Sequence, residues 1–436
     1  MKRIVFLSAA ILILQLAAMP MLLFGEDYSL EDLYRIALKG SEKIKVSEEN
    51  LFIARLGKDK AYAGLIPTLS AYGTYTQYTG SKTSDTGSNV QPNQAGTWGL
   101  QLTQSFSLGG KEFIALDVAG KSIEKNRYDL MSLQQNYLIG ITAAYYDLLK
   151  AKSALRIADS NLERLTKYRD AANSRLMAGQ AIKTAVLRAD GDLSGAKSEK
   201  IKAVNSLEAA KYSLARLVGI TGPFDIKETA ATEATAPDSM MELKSMALRR
   251  RIELKSLEIQ KTMAEKQVSY VKSAFWPDLA IGAAYARFDD DLHRTTFLRE
   301  STFGTVGLNF PLYDSGFRRA DVMEAEAKLR QADLLYRDAV KTVNLEVENA
   351  YLDYTTQQGI ITSLQDQLTF AQDNYNGVSK QYEFGLANSI DVIDANNLLL
   401  TSQRQLADAL LSSQYFLMVL KRASGAILGN VADIKQ

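Results

Sequence analysis

Two apolar rhythms run along this chain. The positions Ile141, Tyr145, Leu148, Ala151, Leu155, Ala158, Leu162, Leu165, Tyr168, Ala172 and Leu176 advance in ten steps over 35 residues, or 3.5 residues per step. That is the period of a coiled-coil seam, whereas a helix lying on an ordinary globular core keeps about 3.6. Val347, Tyr351, Tyr354, Ile361, Leu364, Leu368, Ala371 and Val378 carry the same seam later in the chain. The first seam predicts a helix over about 111–176. At about 1.5 Å per residue it is roughly 100 Å long, too long for any single globular core to bury. The second rhythm alternates. Trp98, Leu100, Leu102 and Phe106 interleave with Thr97, Gly99, Gln101, Thr103 and Ser105; Leu279, Ile281, Ala283 and Tyr285 share one face, as do Val306, Leu308 and Phe310. A period of two predicts strands, here about 68–78, 97–106, 278–288 and 302–311.

The two rhythms belong to one unit written twice. Gly110 matches Gly316, Tyr145 and Asp147 match Tyr351 and Asp353, Gly179 matches Gly385 and Gly219 matches Gly425, all at an offset of 206 residues. Upstream, Pro67 matches Pro277 and Ala37-Leu38 matches Ala247-Leu248 at an offset of 210, which places four extra residues of the first copy in a polar loop around Thr79–Gln94. Each copy reads helix, strand, loop, strand, long helix, Gly turn, returning helix. The shorter helices, about 29–65, 184–218, 242–275 and 390–425, are each half the length of the long ones. Two laid end to end match one long helix, so the expected arrangement is a cylinder of alternately continuous and spliced struts. The expected divisions are a leader over 1–25, a first repeat over 26–220, a linker over 221–239, a second repeat over 240–426 and a tail over 427–436.

The first 25 residues change the compartment. Met1, Lys2 and Arg3 precede an apolar run to Phe24, and Glu26 and Asp27 follow, the layout of a secretory signal peptide cut after Gly25. The alternative, an anchoring helix, is interrupted by Pro20 and has no basic stop. There is no cysteine, hence no disulfide, no thiolate metal site and no cysteine-linked lipid. Lys and Arg number 51 against 50 Asp and Glu, which argues against a nucleic-acid partner. About ten residues per strand, tilted, is enough to cross the hydrocarbon layer of a membrane. Alternation alone fits a small soluble sheet equally well. A sheet in lipid, however, must close, and closed barrels need about eight strands or more. Four per chain then implies shared construction, and three chains supply twelve.

His293 is the only histidine, so histidine triads and multi-histidine metal centres are excluded. There is no phosphate-cradling or dinucleotide-binding glycine motif, and no cofactor is expected. Asp289, Asp290 and Asp291 beside His293 form either a weak cation site or a solvated loop. Tyr72, Tyr75, Tyr78 and Tyr285 are candidates for an interfacial aromatic belt.

Several short motifs, in order, carry a resemblance. They are Leu65-Ile66-Pro67 and Phe275-Trp276-Pro277 before the strands, Leu312-Tyr313-Asp314-Ser315-Gly316 after the fourth, Arg175-Leu176-Met177-Ala178-Gly179 at one turn, and Tyr382-Glu383-Phe384-Gly385 with Ser389-Ile390-Asp391-Val392-Ile393-Asp394-Ala395 at the other. With the duplicated layout, the chain resembles the TolC-like outer-membrane efflux channels over nearly its whole mature length. The resemblance implies an α+β membrane protein. In it a homotrimeric twelve-stranded transmembrane β-barrel, four strands per chain, continues into a periplasmic α-helical coiled-coil barrel. It also implies a non-enzymatic exit duct in the outer membrane, served by a periplasmic adaptor (membrane fusion) protein and an inner-membrane pump of the proton-driven RND or ATP-driven ABC type. The runner-up from composition and pattern is a periplasmic coiled-coil adaptor or structural protein.

By that resemblance Trp98, Leu100, Leu102, Phe106, Leu279, Ile281, Val306, Leu308 and Phe310 face outer-membrane lipid. Arg175, Leu176, Gly179, Gly385, Leu386 and Ser389 stand at the adaptor-contact tip, although the two glycines also suit simple helix ends. Asp391 and Asp394 map onto an acidic constriction that Tyr382 helps to hold shut. The local alternative is acids placed favourably at a helix start, with Ser389 as a cap. The first copy begins a helix at the same place with Ala185 and Arg188, which a purely local role does not explain. The basic residue expected at 387 is Ala387.

Overall fold

The computed structural model describes residues 26–87, 89–228, 239–290 and 298–426. The leader, most of the linker, Asp291, His293 and the tail lie outside the described residues. In chain order the elements are β1 (Glu26–Tyr28), α1 (Leu30–Gly40), α2 (Glu42–Ala63), β2 (Thr68–Gln77), β3 (Lys82–Thr83), β4 (Asn89–Gln91), β5 (Gln94–Ser107), α3 (Lys111–Met177), α4 (Lys183–Val218), β6 (Phe224–Ile226), α5 (Met240–Arg250), α6 (Ile252–Lys272), β7 (Asp278–Asp290), β8 (Glu300–Asn309), α7 (Phe317–Glu383) and α8 (Ser389–Ala423). Both long helices, α3 and α7, have 67 residues.

The first of two compact units holds residues up to 44, 133–251 and 343 onward. Its core has one cluster around Leu33, Ala37, Ile141, Tyr145, Leu148 and Leu214, built from α1, α3 and α4 with the short β6. A second surrounds Leu165, Tyr168, Ala172, Ala189, Tyr382 and Ile393. The 3.5-residue seam supplies Ile141, Tyr145, Leu148, Leu165, Tyr168 and Ala172 to these clusters, so the period did identify the buried face.

Three features depart from expectation. The segment expected as one helix over 29–65 is α1 and α2, parted at Ser41; likewise α5 and α6 part at Arg251. Both residues are extended (φ −70°, ψ 122° and φ −63°, ψ 124°) while their N–H groups still bond Ala37 and Ala247. One extended residue between two helical segments is too short an interruption for periodicity to register. At the second break the gain is visible: the buried Arg251 guanidinium donates to the Ala423 carbonyl at 3.2 Å and to Glu346 at 2.7 Å. Secondly, β1 pairs in parallel with β6, Glu26 opposite Phe224. The Tyr145 hydroxyl donates to the Lys227 carbonyl at 2.6 Å and Lys152 pairs with Asp225 at 2.5 Å. Thirdly, the two repeats make one contact with different chemistry. Tyr34 and Thr142 share a buried hydroxyl hydrogen bond of 2.5 Å, while the matching positions hold the Lys244–Glu348 ion pair.

The second unit holds residues 45–132 and 252–342. Its sheet is antiparallel in the order β2-β5-β7-β8. Among the described residues β2 and β8 have no further partner strand, so both edges of the sheet are open. Beside it, α6 is tied to α3 and α7 by Lys266–Asp117 at 3.1 Å, Lys261–Asp333 at 2.8 Å and Lys272–Glu326 at 3.1 Å.

Candidate functional site

The sheet's register decides what each face presents, because directly paired residues share a face. Phe106 lies opposite Leu279 and Leu279 opposite Leu308; Ile281 lies opposite Val306; Leu102 pairs with Ala283 and Leu100 with Tyr285. The strand candidates Trp98, Leu100, Leu102, Phe106, Leu279, Ile281, Val306 and Leu308 therefore fall on one face. Phe310 lies one residue past the end of β8. This apolar face is open to solvent in the single chain, with Val306 76% and Leu308 65% exposed. Trp98 and Tyr285 pack edge to face on it, ring centroids 5.9 Å apart. The opposite face carries Ser70, Thr103, Ser105, Thr305 and Gln101. Tyr72 belongs there too, which corrects its place in the aromatic belt: it pairs with Gly99, and a Cβ on Gly99 would stand 2.9 Å from the Tyr72 hydroxyl. Among the described residues no helix is long and apolar enough to cross a membrane.

In the first unit two turns join the long helices to the returning ones. Gly179 (φ 74°) and Gly385 (φ 80°) sit in the left-handed region. The Gln180 N–H bonds the Arg175 carbonyl at 2.8 Å and the Leu386 N–H bonds Gln381 at 2.8 Å, with the two glycine N–H groups bonding Leu176 and Tyr382. Both turns are thus Schellman caps, where glycine avoids the strain a Cβ brings at positive φ. Any residue with a side chain is disfavoured there, whatever the turns contact.

The start of α8 is capped by Asn388, not Ser389. The Asn388 side chain accepts from the Ile390 and Asp391 N–H groups at 2.7 and 3.1 Å, and Asp391 accepts in return from the Asn388 N–H at 3.0 Å. Asp391 therefore completes a capping box. Asp394 is exposed and makes no side-chain bond among the described residues. The matching start of α4 has Ile182 as its cap residue and no side-chain bond at all.

Tyr382 is buried against Tyr168 at 5.4 Å between centroids, and the Arg175 guanidinium lies 4.5 Å over its ring. The Tyr168 hydroxyl donates to the Ser389 carbonyl at 3.2 Å, tying α3 to the first residue of α8. Burial, and then the neighbouring Tyr382, push the Tyr168 phenol up to about 12, so it remains a donor at neutral pH. An open cleft of about 670 Å³ between the turns is lined by Arg175, Arg188, Tyr382, Ala387, Asn388 and Ser389. Of the tip candidates, Arg175, Gly179, Gly385 and Ser389 line this cleft; Leu386 is 80% exposed beside it and Leu176 is half-buried. Ala387 packs against the core cluster and lines the same cleft, in which the cations are Arg175 and Arg188. The exposed apolar residues Met177, Ile182 and Phe384 at these turns escaped the sequence reading. Their signal is an apolar side chain beside a helix-ending glycine, outside the seam.

Residues 33–220 and 243–426 match the family profile described as outer membrane efflux protein. The chain is 24% identical over 370 residues to the outer membrane efflux protein BepC of Brucella suis, spanning 84% of this chain and 77% of that one. It is 23% identical over 368 residues to the outer membrane protein TolC of Escherichia coli, spanning 80% and 73%. Its fold is similar to the crystal structure of CusC, with a TM-score of 0.81 at 18% identity, covering 92% of this chain and 93% of that one.

Proposed function

We infer that this chain, which belongs to the outer membrane efflux protein family, is the outer-membrane exit duct of a tripartite efflux or type I secretion system. It conducts substrate passively and does no bond chemistry of its own. The observation that carries this reading is the four-stranded sheet with one exposed apolar face and two open edges. In lipid each unpaired backbone group costs several kcal/mol, so the edges require partner strands. Three copies joined β8 to β2 close a barrel of twelve strands, with Trp98, Leu100, Leu102, Phe106, Leu279, Ile281, Val306, Leu308 and Phe310 toward lipid and the Thr/Ser/Gln face toward the lumen. The coiled-coil helices stand in the periplasm.

The Gly turns form the tip that meets a periplasmic adaptor, behind which an inner-membrane pump supplies the energy. The apolar Leu386, Met177, Ile182 and Phe384, all largely exposed at the two turns, support that reading, since large apolar side chains gathered at turns of a soluble segment suit a contact site. Exchanging Leu386 for glutamate is expected to abolish export in cells while the yield of trimer from membranes stays unchanged. Normal export by that variant removes Leu386 from the contact. Asp391, Asp394 and Tyr382 form the constriction at the same tip: Tyr382 anchors the turn in the core, and Asp394 is left free of any bond within the described residues.

A further inference from the structure

The start of α8 is held by a polar chain inside the coiled coil. Asn396 is 2% exposed and Asn161 6%. The Asn396 amide donates to the Asn161 side-chain oxygen at 2.9 Å, and the Arg164 Nε donates to the Asn396 oxygen at 2.9 Å. Arg164 also reaches Gln403 at 3.5 Å and lies 5.9 Å from the Tyr375 ring. No carboxylate pairs with this guanidinium among the described residues; every partner is neutral. Burial accordingly pulls the Arg164 pKa down.

Polar groups inside an apolar seam contribute little net stability, because the hydrogen bonds replace lost hydration. What they confer is geometry: an apolar seam tolerates small rotations and slides, whereas an asparagine that must find one partner does not. At about 100° per residue, Asn396 stands about 200° around α8 from Asp394 and about 140° from Asp391. Fixing Asn396 against α3 therefore sets the direction in which both aspartates point. The matching positions of the other repeat, Gln367, Phe370 and Asp190, contain no such chain.

We propose that Asn161, Arg164 and Asn396 are positioning residues that hold α8 in the rotation which closes the duct. This rests on the reading of the start of α8 as the constriction. Without the chain, α8 keeps its polar ties to α3 at Tyr168–Ser389 and at Lys150–Ser412 and Lys150–Asp408, but the stretch between them is released to turn, and the ring of carboxylates widens.

Single trimers in planar bilayers test it. The triple variant Asn161→Leu, Arg164→Leu, Asn396→Leu is expected to keep its trimer and a melting temperature no lower than native, while resting conductance rises several-fold. Asn396→Asp keeps both bonds, since the Asn161 amide can turn to donate, and adds a charge opposite Arg164; its conductance is expected at or below native. If the triple variant does not assemble, Asn161→Ala, which removes one bond, carries the test with a smaller rise. Native conductance in the triple variant or in Asn161→Ala, or an open Asn396→Asp, overturns the proposal. Failure of the aspartate ring itself reads differently, as unchanged ion selectivity when the aspartates are neutralised.

Discussion

Arginine in place of Val306 is expected to eliminate assembled protein from the outer membrane. Val306 lies in the apolar face toward the middle of β8, opposite Ile281 and 76% exposed in the single chain. An arginine on the lipid side of a barrel costs about 2–4 kcal/mol near the bilayer midplane, and the three copies of the proposed trimer bring roughly 6–12 kcal/mol. That is comparable with the whole folding stability of an ordinary domain, about 5–15 kcal/mol. The control is Thr305→Arg on the same strand, whose side chain falls on the opposite face. A lumenal arginine keeps its hydration, so assembly is expected to survive with altered conductance. Quantifying heat-modifiable trimer in detergent extracts of outer membranes checks both. Equal loss in the two variants, or normal assembly of Val306→Arg, contradicts the assignment of faces.

Neutralising the two aspartates of α8 is expected to convert a cation-selective pore that multivalent cations block from the periplasmic side into one that is neither. In the proposed trimer six carboxylates meet at one axis, a local charge that attracts cations and binds multivalent ones strongly. The substitutions suited to the test are Asp391→Asn with Asp394→Asn. Asp391 accepts from the Asn388 N–H as part of the cap, and asparagine retains that acceptor, whereas alanine sacrifices about 1 kcal/mol of helix stability and confuses the result. Reversal potentials in a salt gradient and titration with a trivalent cation are the measurements. Selectivity and block that persist in the double variant place the constriction elsewhere.

Much of this architecture was legible because long elements repeat a signal many times. The 3.5-residue seam from Ile141 to Leu176 placed α3 to within a residue or two, and the glycine at offset 206 placed both turns. Alternation from Trp98 to Phe106 sufficed to assign a face, since a slip of one residue would have turned every apolar side chain over. The parts that escaped are those encoded by one or two residues. Ser41 and Arg251 each interrupt a helix over a single residue, and the three-residue β1 and β6 are too short to show a period. Asn388 displaced Ser389 as the cap because a one-residue shift in helix start is below the resolution of pattern reading. Tyr72 was grouped with Tyr75 and Tyr285 by residue type, and only the pairing with Gly99 showed it on the other face. The Asn161–Asn396–Arg164 chain joins residues over 230 positions apart, which no local spacing reveals.

The account depends above all on a barrel shared between chains. Multi-angle light scattering of the detergent-purified protein, corrected for bound detergent, measures the number of chains per particle, and circular dichroism on the same fraction reports the strand content. Three chains per particle, with no stable smaller species, is the predicted result. A monodisperse particle of one chain with its strand content intact would contradict it.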